Sequence, residues 1–209
     1  MTWMTWICRC EIMNRRFAIV GHRAQSSGKL NLNDLAGASG RIDVLARAVN
    51  TALFLSHAIR EDSQVVLHLL GGPGPPRRIC FEGNTVRGLH PDERAIAGQI
   101  GRALKEPVPA IGHKSELHSG FWHSGGSIKQ TIAEWNNEDV SIFVLDADGE
   151  QISEISDQKG PIGFVLSDDQ PFSETDLDSL EGCQPLSLGE QWLQGHACIS
   201  IIHHLLDSH

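Results

Sequence analysis

The chain reads as an α/β protein: a mostly parallel sheet with helices on both faces. Three observations predict it. Short apolar runs of strand length alternate along the chain with segments whose apolar residues recur at helical spacing. The 21 Gly and 9 Pro mostly fall between these segments, where they act as breaks. The 209 residues, 40 % hydrophobic, suffice for one continuous core and fit a single domain spanning 15–209.

The elements follow in order. Residues 1–14 (MTWMTWICRCEIMN) lack the apolar run and small-residue cleavage site of a signal peptide, so a disordered leader is expected, with Met13 a candidate first residue. Residues 17–21 form a buried strand ended by Gly21, and a polar connection over 22–40 follows. Ile42, Leu45, Val49 and Leu53 place a helix over 41–60. A strand over 65–70 is broken by the Gly-Pro run at 71–76, and Gly83-Asn84 predicts a hairpin between 78–82 and 85–88. Pro91 and the acids Asp92 and Glu93 open a helix over 90–105. Residues 107–126 read as irregular, and Ser127 caps a short helix ending near Trp135.

In the last third, a strand over 141–145 ends in a turn at Asp148-Gly149, and a second strand covers 162–166. Ser173 to Asp176 starts a helix as a capping box, and 185–188 forms a short strand. The final helix is expected over 190–207. Leu193, Ile199, Ile202 and Leu206 form one stripe, while Trp192, Ile201 and Leu205 lie off it, which predicts a second surface to cover.

Composition excludes several classes. No run approaches the roughly 18 apolar residues of a spanning helix. Cysteines at 8, 10, 80, 183 and 198 are odd in number and show no CxxC pair, which argues against a secreted disulfide framework and for the cytoplasm. The net charge of −9 is unevenly spread: residues 1–129 carry 16 of the 17 Lys and Arg against 10 acids, whereas 130–209 carry Lys159 alone against 16. A polyanion would therefore meet the basic part, 15–129, and not the acidic part, 130–209.

Most motif readings fail on spacing. Asp146-Ala147-Asp148-Gly149 lacks the remaining ligands of a calcium loop. The glycines at 71–76 have no GK[ST] ending, and three prolines remove amide donors. His196, His203 and His204 share a helical face that Cys198 does not, so no metal site is expected. Neither a G-x-S-x-G elbow nor a G-x-G-x-x-G loop occurs. What remains is the convergence of three strand ends, at Leu145, at Ser167 and at Leu186 to Gly189, on one edge of a parallel sheet. Open α/β sheets bind ligands beyond the carboxyl ends of their strands, and this edge suits a small molecule with an adenine-like apolar part.

The residues also carry a family resemblance. Arg41-Ile42-Asp43-Val44-Leu45 with Val49 to His57, Leu89-His90-Pro91-Asp92-Glu93-Arg94, Phe164 to Asp168, Leu186 to Gly189 and Cys198 to His203 resemble, in order, the archaeal-type tRNA (pseudouridine-N1)-methyltransferases of the SPOUT class, the TrmY family. The resemblance implies a C-terminal trefoil knot, a homodimer, and S-adenosylmethionine held at Leu145, Ser167, Leu186, Ser187, Leu188, Gly189 and Cys198. Ser167 stands where this family usually has Gly.

The reaction so implied is methylation of N1 of a pseudouridine in tRNA, at position 54 of the T-loop. Asp92 and Arg94 are the candidate catalytic residues, with Asp43 and Arg87 as further candidates, because the N1 proton must leave. Arg23, Lys29, Arg41, Arg77, Arg78 and Arg87 are candidate phosphate contacts. Two other readings stay open: a catalytically silent RNA-binding dimer of the same fold, and a small-molecule methyltransferase. Cofactor binding separates the first, and salt-dependent tRNA binding the second.

Overall fold

The computed structural model describes residues 15–152 and 160–208. The expected leader at 1–14, with Met13, lies outside them. The order of elements is β1 (Arg15–Gln25), α1 (Ile42–Leu53), β2 (Ser63–Gly71), β3 (Arg77–Glu82), α2 (Glu93–Ala103), β4 (Ser115–His118), β5 (Phe121–Gly125), α3 (Ile128–Asn137), β6 (Ser141–Gln151), β7 (Ile162–Ser167), α4 (Glu174–Ser179), β8 (Gln184–Ser187) and α5 (Gly195–Asp207).

One sheet of eight strands, ordered β4-β5-β3-β2-β1-β7-β6-β8, runs through both the basic and the acidic part. The strands from β2 to β8 along that order are parallel, with Phe17 paired to Val65 on one side and to Phe164 on the other. β3, β5 and β4 add antiparallel pairs. The sheet is therefore mixed, and its parallel part is the strand–helix alternation legible in the sequence.

The two-residue period of a strand sorts the core into two layers. Phe17, Ile19, Val65, Leu67, Phe143 and Phe164 face α1, α2 and α5, meeting Leu45, Ile100 and Ile199. Ala18, Val20, Val66, Cys80 and Val165 face α3 and meet Ile132 and Trp135. Gly163 lets β7 approach α3 closely, since an added Cβ would lie 2.6 Å from the Trp135 ring.

Several expectations are corrected. No hairpin joins 78–82 to 85–88; β3 pairs with β2 and β5 instead, and Asn84 lies in a turn where Val86 N donates to Glu82 O. The stretch at 107–126 contains β4 and β5. Its polar His123 and Ser124 hid a strand that is buried throughout, because both of its faces are covered. The turn chemistry at Asp148 is present, with Asp148 N donating to Asp146 Oδ1 at 3.0 Å, but it forms an irregularity inside β6: Leu186 pairs with both Leu145 and Glu150.

Helix ends also moved. α1 stops at Leu53, where Leu55 N–H donates to Ala58 O and Phe54 bridges Ile59. Pro91 precedes α2, whose N-cap is Asp92; its carboxylate accepts from Ala95 N at 2.8 Å. The expected caps at Ser127 and Ser173 are present. α5 begins only at Gly195, so Trp192 and Leu193 lie in the connection before it rather than on its faces.

Candidate cofactor cleft and basic surface

The carboxyl ends of β6, β7 and β8 open onto a cleft of about 300 Å³. Leu145, Ser167, Leu186, Leu188, Gly189 and Cys198 line it, together with Asp146, Leu166, Gln170, Pro171, Trp192 and Leu193. Of the residues singled out from the sequence for a cofactor, Ser187 is outside the lining. It is 1 % exposed, and its Oγ accepts from Gly189 N at 3.1 Å, which fixes the bend of the loop. Gly189 has φ 114°, a conformation that excludes most side chains. Ser167 fits where a glycine was expected because its hydroxyl donates to Gln170 O, closing the turn after β7.

The lining is apolar leucine surface with acids and no Lys or Arg. A phosphate-bearing nucleotide finds no counter-charge there. An adenosine carrying a positively charged sulfonium fits better: leucine side chains for the ring, and the exposed carboxylate of Asp146 at the rim. The Cys198 thiol, pushed up by burial, is neutral and donates weakly toward Leu193 O at 3.9 Å.

The turn after β7 is heavily held. Asp168 accepts from His22 N and from the His22 ring, each at 2.9 Å, and from Gln170 N at 3.0 Å. The next residue, Asp169, pairs with Arg23 and, at 2.9 Å, with Arg41. Arg41 also binds Asp43 at 3.0 Å from a left-handed backbone with φ 67°. Arg47 continues the series to Asp43 at 2.7 Å and to Glu93 at 3.6 Å. Asp43 is thus an ion-pair partner: burial would raise its pKa, but Arg41 and Arg47 hold it below the usual carboxylate range.

Two expected phosphate contacts are corrected. Arg77 and Arg78 are 1 % and 0 % exposed. Arg77 donates to the carbonyls of Ala103 and Glu106, and Arg78 to Thr131, Ser124 and, at 2.8 Å, Glu134. Their guanidiniums face the α2 and α3 layers rather than solvent. Lys29, Arg87 and Arg94 are exposed, as is Arg23, while Arg41 is half-buried. Asp92 and Arg94 sit at the start of α2, and neither lines the cleft.

No local pattern pointed to His22, which the fold brings beside Asp168 and Asp176; only its position after the first apolar run could have drawn notice. Trp192, read as a helix-face residue, is 85 % exposed at the cleft rim. His203 bonds Arg15 at 3.0 Å and Ala52 O at 3.2 Å. Its pKa, held down to about 3 first by burial and then by Arg60 and Arg15, keeps it neutral. Among the described residues no three His, Cys, Asp or Glu side chains converge as metal ligands, and no helix is long and apolar enough to cross a membrane.

Comparison with known proteins agrees with this geometry. The family model described as "Putative SAM-dependent RNA methyltransferase" matches residues 14–209. A protein of Methanocella arvoryzae named tRNA (pseudouridine(54)-N(1))-methyltransferase is 40 % identical over 191 residues, covering 90 % of this chain and 96 % of the relative. The Haloferax volcanii protein of the same name is 36 % identical over 200 residues, with 93 % and 96 % covered. The crystal structure of Archaeoglobus fulgidus Nep1 bound to S-adenosylhomocysteine shares the fold, with a TM-score of 0.67 at 13 % identity over 93 % of this chain and 98 % of that one. The family model's match over residues 14–209, together with these named relatives, shows that the chain belongs to the family of S-adenosylmethionine-dependent RNA methyltransferases.

Proposed function

We propose that this chain methylates N1 of pseudouridine 54 in tRNA, using S-adenosylmethionine bound in the cleft beyond β6, β7 and β8. The observation that carries the reading is a cleft with leucine walls, an acidic rim and no basic lining residue, in a chain whose relatives bear that name. When bound, the cofactor supplies a methyl group on a positively charged sulfur.

The protein's own residues orient and desolvate. Leu145, Leu186 and Leu188 would hold the adenine, Ser167 and Gly189 set the two turns that border the cleft, and Cys198 lines it. Holding acceptor and donor in line contributes most of the rate in such displacements. The N1 atom must lose its proton as it gains the methyl group. Asp92 is the proposed acceptor of that proton, with Arg94 polarising the base. Both lie outside the lining of their own chain's cleft, so this assignment requires a second copy to bring them to it, as a homodimer does.

Arg23, Lys29, Arg41 and Arg87 are the proposed phosphate contacts. The trefoil knot belongs to the same reading. It is supported by the path of the chain, which leaves β8 at the sheet edge beside β6 and returns inward for α5 to pack on α1. We read 15–209 as one functional unit acting in the cytoplasm. The test is incubation of the protein and S-adenosylmethionine with a tRNA carrying pseudouridine 54, followed by nucleoside mass spectrometry. One added methyl on that nucleoside is expected, and its absence with a folded protein overturns the reading.

A further inference from the structure

We propose that His22 is a positioning residue for the cleft, whose doubly protonated ring clamps the turn after β7 into the shape that borders the cofactor. The inference rests on the cofactor reading of that cleft. His22 lies on β1 and does not line the cleft itself. It reaches the cleft through Asp168. The backbone N–H of His22 donates to Asp168 Oδ2 at 2.9 Å, and ring Nδ1 contacts Oδ1 at 2.9 Å. The opposite ring nitrogen, Nε2, contacts Asp176 Oδ2 at 2.9 Å, at the start of α4. Asp168 Oδ1 also takes Gln170 N, and Asp176 Oδ2 takes Ser173 N and Oγ. One imidazole therefore joins β1, the 167–170 turn and the first turn of α4, and Ser167 and Gln170 are cleft walls.

Two acids, one at each ring nitrogen, favour the imidazolium. A carboxylate has no proton to give, so both ring nitrogens must donate, which only the imidazolium does. In neutral histidine one nitrogen turns a lone pair toward a carboxylate, and one of the two clamps fails. The groups that face the ring favour the cation. From the turn after β7 comes Asp168, and from α4 Asp176. On β2, the fully buried His68, held neutral with a pKa of about 3 by burial and then by Arg78, feels Asp176 but adds no charge. Further along the turn, Asp169 is already neutralised by Arg23 and Arg41. Burial alone would lower the His22 pKa, but its hydrogen bonds and attractions to Asp168 and Asp176 outweigh that and raise it.

Calorimetry with S-adenosylhomocysteine as the probe, on the full chain across about pH 6 to about pH 9, tests this. His22→Gln retains one donor and imitates the neutral ring at every pH. Wild-type affinity is expected to fall about tenfold across that range, the loss of one charged hydrogen bond. The variant should be weak at the low end and lack this fall. The ligand's own amine titrates alike in both, so the difference between the two curves is the readout. Equal curves overturn the role of His22, whereas a folded wild type that fails to bind at any pH removes the cofactor reading and the inference with it. Should His22→Gln fail to fold, Asp176→Asn removes one of the two stabilising carboxylates and should move the wild-type break to lower pH; an unmoved break overturns the inference.

Discussion

The two ends of the sheet treat charge in opposite ways. At the antiparallel end, β3 carries Arg77 and Arg78 into the interior, where backbone carbonyls, Ser124, Thr131 and Glu134 meet their donors. At the parallel end, the residues at the tips of β6, β7 and β8 border a cleft, and the charges next to it are held in place by partners from β1 and α1. Charge inside the antiparallel end shapes the fold, while charge at the parallel end shapes a site. A count of basic residues along the chain cannot tell these apart, because a strand places alternate side chains on opposite faces.

The largest expected effect breaks the first half of this comparison. Arg78→Met leaves Glu134 without its guanidinium and Thr131 and Ser124 without a donor. Burial would raise the Glu134 pKa, and Arg78 is the main group holding it below the ordinary range. Loss of about 2 kcal/mol is expected, because buried Thr131 and Ser124 lose their donor, while part-exposed Glu134 keeps Lys114 at 3.5 Å. The midpoint of urea unfolding measures it; a shift under about 0.5 kcal/mol would return Arg78 to the surface.

A loop variant breaks the second half. Gly189→Val places a branched side chain at φ 114°, where the surrounding space is open, so the strain falls on the loop backbone alone. The thermal midpoint should fall by only about 2–6 °C, and S-adenosylhomocysteine affinity should fall by at least about tenfold. Normal binding by the folded variant would remove the loop after β8 from the site.

How much was legible follows the same division. The parallel strands, α1 and the caps at Ser127 and Ser173 were readable because their signals are local: apolar runs of strand length, apolar residues at helical spacing, and a hydroxyl before an acid or amide three residues on. β4 and β5 were not. Strand β5 is Phe-Trp-His-Ser-Gly, buried on both faces, and its His123 and Ser124 meet Arg77 and Arg78 of β3, partners that no local pattern reveals. Five of the seven cofactor positions, Leu145, Ser167, Leu186, Leu188 and Gly189, fell on the cleft lining because strand ends in a parallel sheet share an edge; the sixth, Cys198, is on α5 and was reached through the family resemblance alone. Arg77 and Arg78 misled because burial of a charge depends on partners distant in sequence. His22 was missed for that reason too, being 146 and 154 residues from the acids it joins.

Asp207 gives a smaller effect that joins both ends of the chain. It pairs with Arg15 at 2.8 Å and with Arg60 at 2.5 Å, and its pKa is lowered to about 2, chiefly by Arg60. A carboxylate whose folded pKa is depressed adds stability above its unfolded value of 3.8, and that stability is lost as pH falls through about 2. The group is well exposed, so screening leaves about 1 kcal/mol. Asp207→Asn should be less stable than wild type by that amount near neutral pH, and the two should converge near pH 2. A gap that persists in acid would mean the variant acts through packing.

The smallest effect sharpens the comparison by asking what the charge outside is for. Arg23 has half its side chain exposed and pairs with Asp169, which Arg41 also holds. A phosphate that takes Arg23 leaves Asp169 with Arg41, so the turn beside the cleft keeps one cation. Binding through Arg23 therefore exchanges one anion for another and gains less than a free cation would. Arg23→Gln should leave stability within about 0.5 kcal/mol and weaken tRNA binding about threefold, with the slope of log affinity against log salt falling by less than about 0.9. Lys29→Gln, at an exposed position in the connection after β1, should change the slope by the full amount. The order of the two is the measurement. A larger change at Arg23 than at Lys29 would show that Asp169 releases the guanidinium to RNA without cost, and that the paired surface, rather than the unpaired one, is the main phosphate track.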